Sequence, residues 1–179
     1  MDYCKAGGSS GDKRELKRFG VNNNIGSGGT RRPPQKIVQL NASTGGAGPL
    51  PIITTLFADP INVVDVSIDT QDMNEPAVLL DFTSIISLPV GISVTLNFEI
   101  TRSLNGGAPV NVGSTYTFAT LVNVLEAEAF SFKYFDNNLT PGVYTYSVQL
   151  STNSVIDITP GLTVNNATLS ALAVDNNPA

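Results

Sequence analysis

The sequence has no histidine, no tryptophan and a single cysteine, Cys4. Without histidine, the usual base for a serine or cysteine nucleophile is missing, which excludes most triad chemistry. One thiol closes no internal disulfide, so Cys4, near the tip of a glycine-rich segment, is either a bystander or a cross-link between copies. Charged residues are also scarce, at 14%, well below the quarter typical of soluble domains. No apolar run approaches eighteen residues, so no membrane helix is expected. Met1-Asp2-Tyr3-Cys4-Lys5 leads into Gly and Ser with no apolar stretch, so no secretory signal peptide is expected, and any place outside the cell would be reached by another route.

What replaces charge is hydroxyl and amide. The chain holds 32 Ser plus Thr and 17 Asn. Threonine suits strands, while Lys and Glu are depleted in them, and a surface poor in charge desolvates easily against a copy of itself. The few charges are unevenly divided. Residues 1–36 carry eight Lys/Arg against three acids, a net of +5; residues 37–179 carry two bases, Arg102 and Lys133, against twelve acids, a net of −10. Ten of the 16 glycines lie in residues 1–48. Residues 1–35 therefore read as a flexible basic arm and 36–179 as the folded domain.

Beyond Pro33-Pro34, Lys36 to Asn41 reads as a short strand and Gly45 to Pro51 as a loop. From Ile52 the pattern has period two. Ile92, Val94, Leu96, Phe98 and Ile100 share one face, with Ser93, Thr95, Asn97, Glu99 and Thr101 on the other, which describes a half-buried antiparallel strand. Further strands are predicted at 52–58, 61–69, 77–87, 110–119, 127–135, 142–151 and 161–174. Asn105-Gly106-Gly107, Asp136-Asn137-Asn138, Thr140-Pro141-Gly142 and Thr159-Pro160-Gly161 supply turns between them. About eight short strands and no long helix predict an all-β fold, an antiparallel β-sandwich or jelly roll.

Nothing in the sequence assembles a catalytic site. Glu126 and Glu128 are two residues apart, but a paired acid and base also need a cleft. The Gly-rich pieces lack the strand-to-helix setting of a phosphate loop. Asp65, Asp69, Asp72, Asn74 and Glu75 supply oxygen at a density that calcium binding uses. Their spacing matches no EF-hand loop, and connecting loops are rich in Asp and Asn for turn chemistry alone. The expectation is therefore no enzyme activity, no metal and no cofactor.

Five segments carry a resemblance: 63–86 (VVDVSIDTQDMNEPAVLLDFTSII), 91–107 (GISVTLNFEITRSLNGG), 112–118 (VGSTYTF), 129–150 (AFSFKYFDNNLTPGVYTYSVQL) and 167–174 (ATLSALAV). They resemble a family of small proteins of spore-forming Firmicutes, mainly clostridia, known as a domain of unknown function. In plan, a small jelly roll behind an N-terminal connector, the chain is also similar to subunits of endospore appendages. That resemblance implies a place on the spore surface or outside the cell, reached without a signal peptide, with other spore-surface proteins as neighbours.

The reading that joins these features is a structural subunit that assembles with copies of itself into a filament or surface layer. The residues expected at the subunit contact are Cys4, Arg14, Arg18, Arg31, Arg32, Lys36, Ile37, Val38 and Leu40, the last three because Lys36 to Asn41 is placed to add to a neighbour's sheet edge. Two other classes compete. A capsid-like protein would use the basic arm on nucleic acid, but eight bases diluted by glycine disfavour that. A glycan- or surface-binding module would need an aromatic platform, and only Tyr116, Tyr134, Tyr144 and Tyr146 are available.

Overall fold

The structure is a computed structural model, and it describes residues 37–50, 59–90, 93–121, 125–152 and 161–177. Among the described residues, alternating apolar and polar side chains give eight strands: β1 (Val38–Ala47), β2 (Ile61–Asp69), β3 (Pro76–Leu88), β4 (Ser93–Leu104), β5 (Val110–Leu121), β6 (Glu126–Asp136), β7 (Val143–Ser151) and β8 (Thr163–Asp175). They form two four-stranded sheets. The first has the order β1-β8-β3-β6 and the second β2-β7-β4-β5. Every pairing is antiparallel.

The order has a simple origin. Four of the pairings, β1 with β8, β2 with β7, β3 with β6 and β4 with β5, are those of one long hairpin whose tip is the β4–β5 turn. Rolling that ribbon brings β3 beside β8 and β4 beside β7, and the result is a jelly roll. At the tip, Asn105 and Gly106 both have positive φ, 52° and 72°, and Gly107 N–H donates to the Leu104 carbonyl at 2.9 Å. This is the turn that Asn-Gly favours, since its twist matches that of the strands.

Between the sheets lies one core. Val94, Leu96, Phe98 and Ile100 of β4, Tyr144, Tyr146, Val148 and Leu150 of β7, and Leu169, Ala171 and Ala173 of β8 are all buried in it. Phe82 of β3 lies 4.8 Å from Phe132 and 5.7 Å from Phe98, ring centre to ring centre. Tyr116 of β5 stacks on Phe132 of β6 at 3.9 Å, joining the two sheets along that side. A buried side chain of this size contributes about 1.5–3 kcal/mol, and such rings do most to hold the layers together.

Bulges interrupt the alternation. In β8, register shifts opposite both neighbours around Asn166, between Val164 and Ala167 against β1 and between Asn165 and Thr168 against β3, and Asn166 has φ 50°. One extra residue there moves the buried set from Val164 to Ala167. In β2 the extra residue is at Val63, and Val63 and Val64 are both buried.

The all-β jelly-roll expectation is met. β1 runs six residues beyond the expected strand end, through Gly45 and Gly46, which were expected to form a loop. The reason is proximity: a Cβ on Gly45 would come 2.2 Å from the Val63 carbonyl oxygen, so only glycine lets β1 lie this close to the β2 bulge. The strand expected at 52–58 and the arm at 1–35 lie outside the described residues.

Candidate interaction surface

Among the described residues no three His, Cys, Asp or Glu side chains gather in one place. Each strand alternates, and each sheet therefore has an outer face whose chemistry can be read from the register.

On the second sheet the outer face is mostly polar, though Val143 of β7 lies opposite Asp69 and Ala119 of β5 opposite Thr95. It carries Asp65, Ser67 and Asp69 of β2, Thr145, Ser147 and Gln149 of β7, and Thr95, Asn97, Glu99 and Thr101 of β4. Its groups bond to one another. Ser67 Oγ meets Thr145 Oγ1 at 2.8 Å, Thr117 Oγ1 donates to Asn97 Oδ1 at 3.0 Å, and Asn111 and Thr115 both donate to Glu99.

The first sheet differs. Leu40 of β1 is opposite Leu172 of β8, Leu172 is opposite Leu79 of β3, and Leu79 is opposite Phe135 of β6. These four form one row across all four strands, on the solvent side. Leu40 is 71% exposed and Phe135 54%. The next row outward pairs Val38 with Val174 and Val174 with Ala77. Toward the opposite end Thr44, Thr168, Thr83 and Ser131 are in register, followed by Ile85 opposite Ala129. Between the two ends lie Asp81 and Lys133, directly opposite each other and joined as an ion pair. They are the only charged residues in the outward register positions of this face.

Three connections sit at the apolar end: β2–β3, β4–β5 and β6–β7. Thr70 Oγ1 donates to the Gly142 carbonyl at 2.8 Å, and Val143 N–H donates to Asn105 Oδ1 at 2.9 Å. Just inside, Arg102 Nη1 donates to both oxygens of buried Asp136, at 3.0 and 2.9 Å, and Tyr146 O–H donates to Asp136 Oδ2 at 3.0 Å. Burial opposes the Arg102 charge, but the bond and charge of Asp136 outweigh it and hold the guanidinium above its ordinary range. Burial, reinforced by Asp136, pushes the Tyr146 hydroxyl far above the tyrosine range. A charge triad of this kind clamps β4, β6 and β7 together rather than offering a reactive group.

Of the residues expected at the contact, Cys4, Arg14, Arg18, Arg31, Arg32 and Lys36 lie outside the described residues. Ile37 packs against the core; Val38 and Leu40 point outward in the apolar rows. The strand they belong to is paired with β8 of its own chain, so it is an edge already in place rather than a free segment. The structure adds Leu79, Leu172 and Phe135 to this surface, which period-two reading of single strands passed over. The signal was available: Val78-Leu79-Leu80 and Ala171 to Val174 are apolar on both faces, which a half-exposed strand does not require.

The calcium candidates are not gathered. Among the described residues no three acids converge. Asp65 and Asp69 are four residues apart on one strand, about 13 Å. Asp65 accepts a bond from Asn62 at 2.7 Å, and Asp69 accepts one from Gln71 N–H at 2.9 Å, as a turn residue does. Tyr144 and Tyr146 are core residues, and Tyr116 and Tyr134 are partly buried against the core, so no tyrosine platform is exposed there.

Comparison with known proteins adds a family and distant folds. The sequence matches a family described as a domain of unknown function, DUF4489, over residues 35–174. No curated protein matches. Solved structures with similarity include that of the infectious bursal disease virus Gx strain, at 12% identity and TM-score 0.44, covering 80% of this chain and 34% of that one. The VP2 subviral particle of infectious bursal disease virus is similar at 12% identity and TM-score 0.41, covering 77% and 32%. The chain thus spans about a third of the length of these solved chains.

Proposed function

The chain belongs to the DUF4489 family, and from that premise we propose that it is a non-enzymatic structural subunit that assembles with copies of itself into a filament or surface layer. The observation that carries this reading is the apolar row Leu40, Leu172, Leu79 and Phe135 on the outside of a complete sandwich. A sheet already packed on its inner face gains nothing in folding from a second apolar face, and contiguous exposed apolar surface marks contact sites.

The basic N-terminal segment supplies the second contact. Its net charge of +5 complements the −10 of the remaining chain, so residues Arg14, Arg18, Arg31, Arg32 and Lys36 engage the acidic body of a neighbour. Such a head-to-tail contact extends into a fibre unless its rotation closes it into a ring, and Cys4 then cross-links adjacent copies. The spore or cell surface is the location this reading proposes, with other spore-surface proteins alongside.

Negative-stain electron microscopy of the full-length protein, with and without reductant, tests the proposal. Regular filaments or sheets are expected, shortened or lost on reduction, and the chain lacking residues 1–35 should give discrete particles. Discrete monomers from the full-length protein in both conditions would remove self-assembly. The basic segment also favours a second reading, a nucleic-acid-binding arm, for which purified particles would show an absorbance ratio characteristic of nucleic acid.

A further inference from the structure

We propose that the outer face of the first sheet is a two-fold interface, packed against the same face of a second copy of this chain. This rests on the self-assembly reading and names the surface that performs it.

Three observations select a second copy as the occupant. The first is charge. Residues 37–179 carry a net of −10, and most approaches between two bodies bring acids together; the second sheet's outer face presents Asp65, Asp69 and Glu99. The first sheet's outer face presents only Asp81 and Lys133, bound to each other. It is the neutral side of an acidic body, so two such faces meet without repulsion, while a charged partner finds no unbalanced charge to hold. Removing like-charge juxtaposition is how interfaces choose among partners.

The second is self-complementarity. A two-fold contact uses one patch twice, and here a single straight row crosses the sheet from one edge strand to the other. With the two-fold along the strand direction, row lies on row, Leu40 of each copy against Phe135 of the other and Leu172 against Leu79. The Ser and Thr positions at the far end face their own kind and can exchange hydrogen bonds. Face-to-face sheets pack about 10 Å apart at roughly 30°, with side chains from both interdigitating; the mix of large Leu and Phe with small Ala and Ser on this face suits that spacing.

The third is area. Four strands at about 4.8 Å spacing and about ten residues at 3.3 Å give a face of roughly 600 Å² in projection. Accessible area exceeds projected area on a corrugated surface, so the face reaches the ~800 Å² per partner of a standard stable interface. Dimers joined in this way leave the N-terminal segments to link one dimer to the next.

Sedimentation velocity over a concentration series tests this on the full-length chain and on the double variant Leu79→Asp/Phe135→Asp. The wild type is expected to sediment as a dimer or as multiples of one. The variant should weaken dimerisation by at least about a hundredfold, since two acids on each copy are then buried against Leu172 and Leu40 of the other. Ser147→Asp, on the outer face of the second sheet, should leave association unchanged. Should the double Asp variant lose its β-sheet circular dichroism, Leu79→Thr/Phe135→Thr, which keeps strand-favouring residues, gives the same reading with a smaller shift. Association that persists in a folded variant overturns the interface and leaves self-assembly standing through another surface. A wild type that stays monomeric at every concentration overturns both.

Discussion

Phe82 of the first sheet and Phe98 of the second enter the same ring cluster, 5.7 Å apart, and seen from the core the two sheets are equivalent layers. Seen from solvent they are not. One presents Leu40, Leu79, Leu172 and Phe135 in a row; the other presents hydroxyls, amides and acids that bond among themselves. The inward likeness is what folding requires of a sandwich. The outward difference is not needed for folding, because a half-buried sheet is complete with one apolar face. What differs between two layers that fold alike points to use rather than to stability.

The inward equivalence can be broken first, because it carries the largest effect. Phe82→Ala and Phe98→Ala should each cost about 3–5 kcal/mol, read from urea unfolding. A cost under about 1 kcal/mol for one of them would mean that the layers do not share a single core. Next comes the clamp between the layers. Asp136→Ala leaves Arg102 and Tyr146 facing each other without their acceptor and should cost about 3 kcal/mol. A neutral result would show that the triad does not join β4 and β7 to β6.

The pH response sharpens the same point. Tyr146 has its hydroxyl held above the ordinary value by burial and Asp136, and burial raises Tyr116 and Tyr134 as well. A raised folded value gives stability that is complete below about pH 10, where the unfolded chain also keeps its tyrosine protons. Above that, the unfolded chain releases protons that the folded one retains, so stability falls, by up to about 1.4 kcal/mol per pH unit for Tyr146. Unfolding followed at pH 9 and pH 11 checks the sign; equal stability at both would contradict it. The smallest effect is outward. Lys133→Ala should change stability by less than about 1 kcal/mol, as exposed pairs do. Because it leaves Asp81 unbalanced in the middle of the first sheet's outer face, it should weaken association more than it weakens the fold, and sedimentation beside thermal melting separates the two.

The parts of this molecule that follow from alternation were legible in the sequence. Val94, Leu96, Phe98 and Ile100 fall on the buried side of β4 as the pattern requires, and Asn105-Gly106 turns where it should. Legibility failed where a strand's role depends on a distant one. Gly45 and Gly46 read as a loop because glycine is a poor strand residue, yet β1 continues through them to clear the bulge at Val63. Likewise Leu79 and Phe135 are 56 positions apart and become neighbours only through the β3–β6 register. Arg102 and Asp136 gave no sign of pairing, since nothing local relates them. Val38 and Leu40 were singled out from the sequence, though for an edge contact rather than for the face they help to form.

The rolled-hairpin topology also sets an order of events. The second sheet needs only β2, β4, β5 and β7, all present once Ser151 has been synthesised. The first sheet is split until much later, because β8, which follows the others along the chain, is the strand that lies between β1 and β3. Until β8 inserts, β1 has no partner in the sheet and Leu172 is absent from the middle of the row. A ribosome-bound chain therefore has a core-forming half, and the Leu79–Phe135 pair, before Leu172 joins that pair to Leu40 in a continuous row. On the proposed interface, association would wait for the final strand, which would keep nascent chains crowded on one message from joining before each has finished folding. Arresting synthesis between Ser151 and Thr163 should yield chains that do not recruit finished subunits, and chains arrested beyond Asp175, with β8 clear of the ribosome tunnel, should recruit them.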